Sequence, residues 1–133
     1  MIMVDSTDPV GPGAVLFTKE FYAGCRRCLA PSGLLVTQNG LPFLQASELQ
    51  QSVGYFRELF GDASCYLATT PSYFGGPMSY GWATDNPKLK ARKRRKIERR
   101  YEKAGSFPTR YWRPDVHVAA FALPNYVSEL IEA

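Results

Sequence analysis

Ile2-Met3-Val4-Asp5-Ser6-Thr7-Asp8-Pro9-Val10-Gly11-Pro12-Gly13 runs from three apolar residues straight into a loop of acids, prolines and glycines. The apolar part reads as the end of a buried strand whose beginning would lie before the first residue, and the rest as the loop that leaves it. Pro9 and Pro12 fix φ and remove two amide donors, while Gly11 and Gly13 let the backbone approach closely, which predicts a stiff, non-helical loop over 5–13. Two carboxylates three residues apart, Asp5 and Asp8, suit a cation at such a strand end, because acids in a partly desolvated crevice attract ammonium or sulfonium more strongly than exposed ones. Asp-Pro and Gly-Pro are also ordinary turn elements, so spacing alone leaves open a turn-capping role for Asp8.

Outward from that loop, Phe17, Phe21, Tyr22, Cys25, Cys28 and Leu29 follow helical spacing until Pro31-Ser32-Gly33 stops the pattern. Leu34-Leu35-Val36-Thr37-Gln38 is a short run suited to a strand buried on both faces, ended by Asn39-Gly40. Ser47 is placed to cap a second helix through Phe60, with Leu49, Val53, Phe56, Leu59 and Phe60 on its inner face. Ser64 to Thr70 and Met78 to Thr84 read as strands close enough to pair antiparallel, and Asp85-Asn86-Pro87 as the start of a basic helix. Strand, helix, strand, helix, strand, strand is the order of the C-terminal half of an open α/β sheet that ends in an antiparallel pair. The loops opened by Asp5 and Gln38 are then expected to face one crevice beyond the carboxyl ends of the parallel strands.

At 133 residues with 45% hydrophobic content the chain is long and apolar enough for one domain with a core. No apolar run reaches the roughly 20 residues of a membrane span, and the N-terminus lacks the basic flank of a secretory signal, so a cytoplasmic location is expected. Cys25 and Cys28 have no second pair to complete a zinc site, and they fall near a helix end rather than the N-terminus that would activate a redox thiol. No metal is expected. Lys88 to Lys103 holds ten of the sixteen basic residues and two of the twelve acids, leaving a net charge of −4 on the remainder. Clustered cations can be a footprint for nucleic acid, but a surface helix with the apolar seam Leu89, Ile97, Tyr101 and Ala104 accounts for segment 88–103, and no RNA-binding aromatic motif accompanies it. Tyr66, Tyr80 and Trp82 fall on strands as core or crevice wall, and His117, the only histidine, is expected to satisfy a core hydrogen bond near a strand.

Val4-Asp5-Ser6-Thr7-Asp8-Pro9-Val10-Gly11-Pro12, followed by Leu16-Phe17 and Glu20-Phe21-Tyr22, resembles the hallmark loop and helix of the spermidine synthase family of aminopropyltransferases. Thr69-Thr70-Pro71-Ser72-Tyr73 resembles the family's Thr-x-Pro-[Thr/Ser]-Tyr loop, and Tyr111-Trp112-Arg113-Pro114-Asp115-Val116-His117 through Phe121-Ala122-Leu123-Pro124 continues the likeness in order over the whole chain. The resemblance implies a Rossmann-like, class I methyltransferase-type sheet and transfer of an aminopropyl group from decarboxylated S-adenosylmethionine to putrescine, giving spermidine and methylthioadenosine. It implies that Asp5 deprotonates the attacking amine, Asp8 holds the diamine, Ser6 and Thr7 line the floor, Gln38 and Tyr73 flank the amine channel, and Pro12 touches the nucleoside end of the donor. Gly13-Ala14 stands where relatives commonly place Ala-Glu, a departure just after Pro12.

The resemblance also implies that residues 1–133 are a partial catalytic domain, lacking the N-terminal strand domain and the nucleoside-binding half, and that the full-length protein is a homodimer or homotetramer. The chain by itself is expected to be inactive, and poorly soluble or self-associating, because the strand ending at Val4 would lack a neighbour. Amine N-methyltransferases of the same fold share the acidic loop, which leaves the transferred group open on these residues alone.

Overall fold

In the computed structural model, which describes residues 1–133, Thr18 ends one helical segment and starts another. Its hydroxyl accepts the Phe21 amide at 3.2 Å and so caps α1, Lys19–Cys28, whose Glu20 and Arg26/Arg27 sit at the ends that favour their charges. A 3-10 helix over Gly11–Phe17 precedes it, so the expected non-helical loop is confined to residues 5–10. Pro12 tolerates the first turn because its missing amide would have had no partner there, and a φ of +59° at Gly11 turns the chain into it.

Strands β1 (Ile2–Val4), β2 (Leu34–Gln38), β3 (Asp62–Ala68) and β4 (Met78–Thr84) form one sheet in the order β1-β2-β4-β3. β1 and β2 are parallel with Val4 opposite Thr37, and β4 runs antiparallel to both β2 and β3, as the short connection between the last two strands requires. The α/β expectation holds, with β4 returning between β2 and β3. Helix α2 (Ala46–Leu59) joins α1 and the last helix, α5 (Asn125–Glu132), on one face of the sheet. There Tyr22, Leu35, Leu49, Val53, Phe56, Cys65, Ala83 and Val127 are fully buried and form the core. Ser47 does not cap α2. That position belongs to Gln45, whose side chain turns back to the loop before the helix.

The other face of the sheet is only partly covered, by segment 111–121, which corrects the expectation that β2 is buried on both sides. Leu35 and Thr37 point into the core, whereas Leu34 and Val36 face a cavity of about 290 Å³ shared with Met3, Tyr66, Trp82 and Phe121. Tyr66 and Tyr80 stack there at 5.2 Å between ring centroids, and Phe121 meets Trp82 edge-on. The basic helix α3 spans Arg94–Lys103 and starts later than expected: the Asp85 carboxylate accepts the distant Gly61 amide at 2.9 Å, and Asn86 closes a turn by accepting the Lys88 amide at 3.2 Å. His117 lies on the short helix α4 (Pro114–Ala119) and faces the same cavity as the strand residues Leu34 and Trp82, and its Nδ1 accepts the Trp112 indole N–H at 3.3 Å. No helix is long and apolar enough to cross a membrane.

One backbone position admits no side chain. A Cβ on Gly81 of β4 would lie 2.5 Å from both Asn39 Oδ1 and Phe56 Cε2, and 2.6 Å from Thr37 Oγ1. Gly81→Ala is therefore expected to lower stability by about 1–3 kcal/mol through overpacking, read as a fall in the urea midpoint; an unchanged midpoint would show that this junction can relax.

Candidate active site

Parallel pairing of β1 and β2 brings their carboxyl ends level, so the residues that follow Val4 and Thr37 meet. Gln38 donates its amide N–H to Asp5 Oδ1 at 2.8 Å and to the Ser6 carbonyl at 3.3 Å; the reversed amide would set its oxygen against two acceptors. The two loops expected to face one crevice are thus tied together by a direct hydrogen bond. Asp5 remains exposed, so one edge of its carboxylate is fixed while the group still reaches solvent.

Asp8 is held from the second side. Gln45 accepts the Leu41 amide at 3.0 Å with its carbonyl oxygen and donates its N–H to Asp8 Oδ1 at 3.1 Å. Gly40 makes room for this arrangement: its φ is +65°, and a Cβ there would lie 2.5 Å from the Gln45 side-chain oxygen. The loop backbone closes on itself, the Val10 amide donating to the Asp8 carbonyl at 2.7 Å. The turn role that spacing left open for Asp8 is therefore filled by its main chain, and its side chain is free of it.

A third carboxylate enters from the first turn of α2. Burial, and then the charge of Asp8, push the Glu48 carboxyl up to about 7, so it exchanges its proton near neutrality. Sequence reasoning passed over Glu48. The available signal was an acid near the start of the helix that follows the Gln38 strand.

Ser6 is half-buried against Gln38, and Thr7 packs where a Cβ on Gly13 would lie 3.0 Å from its hydroxyl. Pro12 is exposed at the start of the 3-10 helix. Tyr73 sits on the 69–77 loop with its amide bonded to the Thr70 carbonyl at 3.0 Å; its ring is about half-exposed, and no hydrogen bond ties it to Asp5 or Asp8. Asp5 and Ser6 are thus joined to Gln38, and Asp8 to Gln45, while Tyr73 and Pro12 make no hydrogen bond to either carboxylate. Cys25 is buried in α1, where desolvation pushes its thiol up, and Cys28 is exposed on the same helix.

The spermine/spermidine synthase domain model matches residues 1–93. A polyamine aminopropyltransferase of Ruegeria sp. is 51% identical over 130 residues, covering 98% of this chain and 45% of that protein. The polyamine aminopropyltransferase of Salmonella arizonae is 45% identical over 133 residues, or 100% of this chain and 46% of that protein. Among solved structures, a spermidine synthase in complex with the transition-state analogue AdoDATO matches with a TM-score of 0.83 at 30% identity, over 96% of this chain and 43% of that one. The spermidine synthase of Thermotoga maritima matches with a TM-score of 0.77 at 28% identity, over 92% and 40%. The chain spans a little under half the length of the curated relatives it matches. The Rossmann-like, methyltransferase-type architecture expected from sequence is the one present.

The Glu48 carboxyl makes stability depend on pH. Between its ordinary value of 4.5 and about 7 the folded chain keeps a proton that the unfolded chain has released, so stability falls as pH rises through that window. Glu48→Gln should flatten this slope and raise Tm at about pH 8 more than at about pH 5; equal shifts at both would remove Glu48 as the cause.

Proposed function

Because the chain belongs to the spermine/spermidine synthase domain family, we propose that these residues form the acceptor-amine side of an aminopropyltransferase site. The assembled protein would transfer an aminopropyl group from decarboxylated S-adenosylmethionine to putrescine, yielding spermidine and methylthioadenosine. The observation that carries this reading is the Gln38–Asp5 hydrogen bond, which orients one carboxylate at the meeting point of two parallel strand ends. The names of the Ruegeria and Salmonella relatives point to the same chemistry.

A primary amine has an intrinsic pKa of about 10 and is mostly protonated at neutral pH, so it cannot attack carbon until it loses a proton. In the proposed mechanism Asp5 takes that proton on the carboxylate oxygen not occupied by Gln38. The freed nitrogen lone pair forms a bond to the aminopropyl carbon beside sulfur, and the carbon–sulfur bond breaks with its pair going to sulfur. The sulfonium thereby becomes a neutral thioether. Asp8 pairs with the far ammonium of the diamine and sets the distance of the attacking nitrogen, which matters because in-line displacement depends chiefly on positioning. Gln45 keeps Asp8 turned to that task. Ser6 and Thr7 form the floor beneath the amine, Pro12 borders the donor, and Tyr73 closes over the channel only if its loop moves inward.

We place the donor's nucleoside site, and the N-terminal strand domain, in the part of the relatives that these 133 residues do not span. The 133 residues by themselves are then expected to show no putrescine turnover. In a protein that joins them to the remaining portion of the Ruegeria relative, activity should appear, and Asp5→Asn should lower kcat by roughly 100-fold or more while the circular dichroism spectrum is retained. Turnover of Asp5→Asn at the parent rate would remove Asp5 from the mechanism, and turnover by the 133 residues alone would overturn the division of the site.

A further inference from the structure

At the end of β2 opposite Gln38, the chain sets its most basic segment beside four aromatic rings. Tyr101 organises the rings: its hydroxyl donates to the Phe107 carbonyl at 2.5 Å, and its ring centre lies 5.3 Å from that of Phe107 and 5.0 Å from that of Trp112. With Trp82 these side chains line a cavity of about 340 Å³, which is in the size range of small-molecule sites. A second concavity, of about 420 Å³, is walled by Lys88, Arg92, Lys93, Arg95, Lys96 and Arg99. None of these six cations makes a salt bridge; in this region Glu98 is taken by Arg94, Asp115 by Arg94 and Arg113, and Asp62 by Lys90. Helix α3 begins there with no side-chain cap and no acid in its first turn, so its amide end adds to the positive field.

Arg92 lines both concavities. Its Nη1 is buried without an acceptor, and so is Nε1 of Trp82, a residue only 7% exposed that lines the aromatic cavity. Buried donors of this kind are costly until an acceptor arrives. A bare polyanion would leave the aromatic cavity and the Trp82 N–H unfilled, and an uncharged aromatic would leave six cations unpaired. A ligand that carries both an aromatic ring with acceptors and a run of phosphates answers both.

We propose that the two concavities together bind a nucleoside polyphosphate. The base lies among Tyr101, Phe107 and Trp112 and accepts from Trp82 Nε1; the phosphates lie on Arg92, Lys96 and their neighbours. The match to the family domain ends at residue 93, before α3 begins, so three of the six cations of the proposed phosphate wall, Arg95, Lys96 and Arg99, fall outside it.

Trp82 and Trp112, the only two tryptophans, both line the aromatic cavity and report on it by fluorescence. With the 133-residue chain, ATP, GTP or UTP should quench that signal saturably, and adenosine should bind roughly tenfold more weakly or worse than ATP. Arg92→Ala should weaken triphosphate binding by roughly tenfold, and rising salt should weaken it further. Arg57→Ala, on the exposed side of α2, should leave it unchanged. If Arg92→Ala loses its helical circular dichroism, the exposed Lys96→Ala serves instead and should also weaken binding. The proposal fails if none of the three triphosphates binds at millimolar concentration in low salt, if adenosine binds as well as ATP, or if folded Arg92→Ala or Lys96→Ala binds unchanged. Retention of an RNA oligonucleotide without any triphosphate binding would likewise overturn it, in favour of an extended backbone surface.

Discussion

Asn39 is the polar hub on which the rest of the structure turns. Fully buried at the end of β2, its Oδ1 accepts the Thr37 hydroxyl at 2.5 Å and the Gly81 amide at 3.0 Å, while its backbone carbonyl accepts the Ser79 hydroxyl at 2.9 Å. These bonds lock the carboxyl end of β2 to the neighbouring strand β4. Asn39 Nδ2, by contrast, is buried without a partner, so the network is made on the oxygen side alone. The consequence reaches the candidate site. Gln38 immediately before Asn39 and the Gly40–Gln45 turn immediately after it, which hold Asp5 and Asp8, are thereby anchored to the sheet.

The same hub explains how three carboxylates share one corner of the fold. Asp5 and Asp8 keep their charge accessible to solvent and each receives a glutamine N–H, so neither is left as an unpaired buried acid. Glu48 lies deeper, and the combination of burial with the charge of Asp8 leaves its proton weakly held near neutrality rather than absent. A cation entering the crevice would relieve that conflict by pairing with Asp8 and, as Glu48 ionises, with a second charge.

Most of the scaffold was legible in the sequence because its signals are local. The spacing from Phe17 to Leu29, the β2 run from Leu34 to Gln38 and the Met78 to Thr84 strand each carry their own pattern and stop signals. The misreadings came where a long-range partner decided the outcome. Ser47 looks like a cap, but Gln45 takes that position because the loop before α2 needs its side chain. Asp85 looks like a helix start, but the Gly61 amide and the Arg26 guanidinium claim its carboxylate from 24 and 59 residues away. Of the site, Asp5, Asp8 and Gln38 could be placed at strand ends from pattern and resemblance. Glu48 could not, because its character comes from burial and the nearby charge of Asp8, both set by tertiary packing.

The division of charge along β2 completes the physical picture. A diamine would be repelled by the ten cations of segment 88–103 if the two met, yet the chain contains both that segment and an acidic crevice. They lie at opposite ends of a five-residue strand: Leu34, its first residue, lines the cavity beside α3, and Gln38, its last, bonds Asp5. Four steps along a strand span roughly 13 Å, which exceeds the screening length of about 8 Å at physiological salt. Exposed charges separated in this way act almost independently. The acids can therefore attract a cation while the basic helix attracts an anion, with the sheet as the spacer that keeps either from neutralising the other.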